Sequence, residues 1–196
     1  MAGKRKGGLS TYALPALFCG LLIVLALLRQ QELERPVKTV LQAGEPLTMT
    51  EQAVENYLYS AGATLDGETI LDADGKAAAH LTIRTGDGGA MEGLTLTFPL
   101  PTYYETESDS EALAPLKAKH DAAAQRGEDL FLALFDAVAA TDGRVAARRE
   151  SAVEKLRAAM GTGKAAVQSA NSWRFSFSLE PGPLEGTVTI LFEKVK

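Results

Sequence analysis

The chain has 196 residues, 46% apolar and 23% charged, an ordinary composition for one folded domain that excludes a disordered, collagen-like or repeat polypeptide. One cysteine excludes an internal disulfide and a thiolate zinc cage, and two histidines leave little for metal or general-base chemistry. The net charge of −5 is uneven: Lys4, Arg5 and Lys6 precede a body with 17 basic and 25 acidic groups, a balance that argues against nucleic-acid binding.

Residues 1–10 form a basic tail. Thr11 to Leu28, TYALPALFCGLLIVLALL, carry no ionised side chain. As a helix rising ~1.5 Å per residue the run reaches about 27 Å, close to the ~30 Å hydrocarbon core of a bilayer. The positive-inside rule keeps the tail in the cytoplasm and sends the chain after Leu28 to the far side. Arg29 opposes that orientation, and Glu32 and Glu34 soften its effect. Pro15 falls near the cytoplasmic end, where a helix tolerates it best. A cleaved signal peptide needs a shorter apolar run and small residues at the cut, whereas this one ends Leu27, Leu28, Arg29, Gln30. Lipid attachment at Cys19 is opposed by the bulky Phe18, and cleavage there would leave LLIVLALL on the product. The segment therefore reads as an uncleaved anchor in the lipid bilayer through residues 11–28. Past the anchor there is no cysteine, and Asn56 and Asn171 are not glycosylation acceptors. That points to a bacterial envelope rather than a eukaryotic secretory route.

Residues 29–47 are polar and interrupted by Pro36, Gly44 and Pro46, a juxtamembrane linker. Residues 48–196 form the extracytoplasmic domain. Thr48 and Glu51 fit a capping box, Val54, Tyr57, Leu58 and Ala61 make one apolar stripe, and Gly62 offers a left-handed stop. Four segments then alternate with period two. Ala79, Leu81 and Ile83 oppose His80, Thr82 and Arg84; Leu94, Leu96 and Phe98 oppose Thr95 and Thr97. Trp173, Phe175, Phe177 and Leu179 oppose Arg174, Ser176, Ser178 and Glu180; Val188, Ile190 and Phe192 oppose Thr187, Thr189 and Glu193. This is the pattern of an antiparallel sheet with one buried face, and GDGGAME and EPGPLEG close two hairpins. Thr69 to Leu71 adds a short fifth strand before the turn DADG.

Between the hairpins the spacing predicts three helices. Leu113 to Gln125 is alanine-rich, with Pro115 confined to its first turn. Glu128 to Ala140 aligns Phe131, Leu134, Phe135 and Val138, and Asp142 caps a third helix running to Met160 and stopped by Gly161. The expectation is an α+β, two-layer domain of four to five antiparallel strands packed on helices, in the order helix, hairpin, helical insertion, hairpin.

No assembled catalytic or metal-binding motif emerges. Placing Gly75 of Asp72-Ala73-Asp74-Gly75 at position six of a calcium loop puts Ile70 and Leu81 where carboxylates belong. Gly161-Thr162-Gly163-Lys164 lacks the upstream glycine and the Ser or Thr of a phosphate loop. GDGGAMEG has Met91 where a dinucleotide fingerprint needs its third glycine. His80 on a strand and His120 on a helix each stand alone, which leaves a hydrolase as the weakest reading. No cofactor is implied.

Three surfaces suit binding. The segment Pro101 to Glu111 sets Tyr103 and Tyr104 before Glu105, Glu107, Asp109 and Glu111, aromatic contact area beside acidic groups for a basic partner. The third helix carries Arg144, Arg148, Arg149, Lys155 and Arg157, with Arg144, Arg148 and Lys155 on one face for an anionic one. The outer sheet face is rich in Thr and Ser. Together these features describe a non-enzymatic, membrane-anchored extracytoplasmic module that engages an envelope protein, through Tyr103, Tyr104, Glu105, Glu107, Arg144 and Arg148. The alternative is a small-ligand or polymer site between sheet and helices near Trp173.

Overall fold

In the computed structural model, which describes residues 49–86, 90–103 and 113–195, Thr50 rather than Thr48 caps the first helix. Its backbone is extended and its Oγ1 accepts from the N–H of Ala53 at 3.3 Å, so α1 spans Glu51–Ser60. Gly62, at φ +76°, ends it. The expected tail (1–10), anchor (11–28) and linker (29–47) lie outside the described residues, as does the tip of the first hairpin at 87–89. Among the described residues no helix is long and apolar enough to cross a membrane.

Seven antiparallel strands follow rather than four or five: β1 (Thr64–Asp66), β2 (Thr69–Leu71), β3 (Ala77–Thr85), β4 (Met91–Pro101), β5 (Ala166–Ala170), β6 (Trp173–Glu180) and β7 (Glu185–Lys194). Their order across the sheet is β1-β2-β3-β4-β7-β6-β5. The β4–β7 ladder joins the two halves that the helical insertion separates in sequence. Neither extra strand carries an apolar alternation. β1 turns into β2 through a two-residue loop opened by Gly67 at φ +59°, a glycine hairpin signal. The inward positions of β5 are Ala166, Gln168 and Ala170.

The insertion also departs from expectation. The first two predicted helices are one, α2 (Ala114–Thr141). Gly127 does not break it; a Cβ there would lie 2.2 Å from ring atoms of Phe98, so the glycine lets α2 cross β4 closely. The predicted third helix is two, α3 (Gly143–Ala146), capped by Asp142, and α4 (Arg149–Thr162). Gly163, at φ +66°, supplies the stop expected of Gly161.

Of the thirteen inward strand positions expected, all are buried except Ile83 and Leu179, which are half-buried. Phe131 and Phe135 on α2 meet Phe175, Phe177 and Phe192 in tilted and edge-on pairs with centroids 5.0–5.8 Å apart. Each such pair adds about 0.5–1.5 kcal/mol beyond its burial. α2 and α4 are further tied by Arg157, which donates two 2.6 Å hydrogen bonds to the buried Glu128.

Candidate interaction surface

Strand alternation that buries one set of side chains must present the other set. Between the irregularities at the two ends of β3, the outward positions of β3, β4, β6 and β7 are half-buried or exposed, apart from Gly93. They form rows across the sheet: His80–Thr97–Thr189–Ser178 in one, Thr82–Thr95–Leu191–Ser176 in the next. Hydroxyls here have no competing core to enter, and their methyl groups and Leu191 give the face some apolar area.

A third row runs Arg84–Gly93–Glu193–Arg174. Gly93 has no side chain to separate its neighbours; a Cβ would sit 2.7 Å from Arg84 Nη2 and 2.8 Å from the Phe192 carbonyl oxygen. Arg84 therefore crosses β4 to reach Glu193 at 3.8 Å. At the opposite end of the face Glu180 and Glu185 are exposed. The face is thus basic at one end, acidic at the other and hydroxyl-rich between.

Of its two edges, that of β5 is closed. Lys155 Nζ donates to the Val167 carbonyl (2.5 Å) and Gln168 Nε2 to that of Ser169 (2.8 Å), occupying two acceptors of the last strand, β5. Ser151 Oγ in turn donates to Gln168 Oε1 at 2.8 Å. Side chains of this kind blunt an edge against strand addition.

The sequence-predicted contact residues are spread out. Tyr103 is half-buried at the end of β4, its ring 6.0 Å from that of His120 and 5.9 Å from Lys117 Nζ. Tyr104, Glu105 and Glu107 lie outside the described residues. Arg144 and Arg148 are exposed, beyond the far end of α2, whose 28 residues extend about 42 Å. Tyr103 and the two arginines therefore do not form one site. Nor do Arg144, Arg148 and Lys155 share a helix face as expected. The chain leaves the helix after Ala146 and enters α4 only at Arg149; Asp142, which caps α3, is also held by Asn171 Nδ2 (2.5 Å) and Ser172 Oγ (3.1 Å) of the β5–β6 turn. Of the neighbouring cations, Arg149 pairs with Asp136 at 3.1 Å.

The remaining polar groups have structural employment. His120 Nδ1 lies 2.7 Å from the Pro101 carbonyl and donates to it, pinning the end of β4 to α2. His80 is exposed on the open face. In the DADG turn Asp72 Oδ1 accepts from the N–H groups of Asp74 and Lys76, both at 3.0 Å, which holds its carboxyl below the usual range. Trp173, 3% exposed, belongs to the same buried cluster as the phenylalanines. A recess of about 120 Å³ opens instead where α2 crosses β4, among Phe98, Pro101, Ala123, Arg126 and Gly127, with Arg126 reaching Asp72 at 3.8 Å. What sequence reasoning undervalued is the register, which turns scattered Thr and Ser into one continuous surface. The TLT, TVT and SFS triplets of β4, β7 and β6 were its signal.

No family model, no curated protein and no solved structure matches the chain, so the functional reading rests on this geometry.

Proposed function

We propose that the chain is a non-enzymatic interaction module of a bacterial cell envelope, anchored in the bilayer by residues 11–28 with its domain outside the cytoplasm. The observation that carries the reading is the one-sided sheet: helices seal one face, while the other presents rows of hydroxyls bounded by charges of opposite sign. Such a surface offers hydrogen-bonding breadth for a protein partner and no reactive constellation for a substrate. The basic tail and uncharged run at the N-terminus support the anchor.

The test places a photo-crosslinking residue at Ser178, exposed on the open face, or at Tyr59, exposed on α1, in full-length protein in intact cells. A discrete adduct from Ser178 and none from Tyr59 is expected. The membrane pellet should retain the chain through alkaline extraction. Identical background from both positions would end the docking face, and a soluble chain or a mature form starting past Leu28 would end the anchor.

A further inference from the structure

We infer that the open sheet face docks a second copy of this chain, face to face, about a two-fold axis running across the strands. This rests on reading that face as a docking surface and goes beyond it by naming the occupant.

The face is complementary to itself. In a two-fold interface the same patch appears on both sides, so its charges must match when the patch is turned on itself. An axis across the strands keeps each strand over its own counterpart and reverses its direction. Set over the inward row Leu81–Leu96–Ile190–Phe177, it brings Ser178 against Ser176, Thr97 against Thr95 and Thr189 against Leu191 of the second copy. It also brings Arg174 against Glu180, twice by symmetry, and Glu193 against Thr187. No like charges meet. An axis along the strands would instead lay the Arg84–Glu193–Arg174 row on itself.

Two further observations agree. Arg174 and Glu180 are both exposed, and among the described residues neither has an ion-pair partner within the chain. They stand six residues apart on β6, about 20 Å, beyond the ~8–10 Å screening length, so they do not pair with each other. Size fits as well. A strand residue covers about 16 Å² of a sheet face, so β3, β4, β6 and β7, whose outward rows form the face, present on the order of 600 Å², the lower end of one partner's share of a standard interface. With the β5 edge occupied by Lys155 and Gln168, strand addition there does not compete with face packing.

The test is a charge swap read by sedimentation equilibrium on the full-length chain in neutral detergent. Arg174→Glu alone sets two carboxylates against each other, and Glu180→Arg alone sets two guanidinium groups together. Each is expected to raise the dimer dissociation constant about tenfold or more. The double variant exchanges the partners and returns it to within about threefold of the parent; within one chain the two sites are too distant to compensate. A parent that stays monomeric, or a double variant as weak as the two losses added, overturns the inference. The Ser178 crosslink separates this failure from that of the wider reading. A chain-to-chain adduct supports self-docking, an adduct with a different protein alone refutes it while sparing the docking face, and no adduct refutes both.

Discussion

Gly127 and Gly161 offer a matched experiment on how tertiary context reverses a local preference. Both are helical, and replacing glycine by alanine in a helix gains up to about 1 kcal/mol from propensity. At Gly161 nothing lies within 4 Å of the added Cβ, so Gly161→Ala should stabilise by about 0.5–1 kcal/mol. At Gly127 the Cβ would stand 2.2 Å from two atoms of the Phe98 ring, which is 3% exposed. The ring must withdraw by more than an ångström. The adjoining recess gives it somewhere to go, yet leaving a packed position for an overfilled one costs about 1–3 kcal/mol. That outweighs the helical gain, for a net loss of about 1–2 kcal/mol. Melting followed by circular dichroism, at one fixed protein concentration, should show Gly161→Ala raised by about 1–4 °C and Gly127→Ala lowered by about 2–8 °C, at ~2–4 °C per kcal/mol. Phe98→Leu removes the obstructing ring atoms, so the double variant should be more stable than the two single losses predict, by about 1 kcal/mol. If Gly127→Ala melts at or above the parent, α2 does not cross β4 as closely as described. The account of that helix as one uninterrupted rod over Phe98 would then fail.

Arg157→Ala leaves the carboxylate of Glu128, 6% exposed, without its two hydrogen bonds. Because the arginine side chain is itself 61% exposed, the cost should fall below that of a fully buried pair, about 2 kcal/mol, whereas replacing both residues by leucine should cost much less; urea midpoints compare the two. Asp142 has its carboxyl held below the usual range, first by Asn171 and then by the Arg144 N–H and Ser172, with burial opposing. A folded pKa under the unfolded one means stability that is complete above about pH 4 and lost as pH falls further. The urea midpoint should therefore decline on the acid side, and Asp142→Asn should flatten that decline while lowering the midpoint at neutral pH. An acid limb unchanged by the substitution would show that the Asn171 contact does not persist in solution.

Local chemistry alone determined a good part of this protein. Period-two alternation in 79–84, 94–98, 173–180 and 187–193 fixed which side chains are buried, because a pleated strand leaves no choice about facing once one face is apolar. Pro115 and Gly62 marked helix ends through their own backbone constraints. Strands β1 and β5 were hidden because their pairing comes from neighbours: β5 buries Gln168, a residue type ordinarily exposed, whose amide is satisfied by Ser151 and the Ser169 carbonyl. The single helix α2 read as two, ending at Gln125 and restarting at Glu128, because the reason for the glycine between them, the Phe98 ring, stands on another strand. The same holds for the candidate surface. A Thr- and Ser-rich outer face was legible from the alternation, but only the β4–β7 and β6–β7 ladders set Thr95, Thr189 and Ser178 in rows. A sequence specifies the faces of each element; which faces become neighbours follows from long-range pairing, and that lies in the tertiary structure.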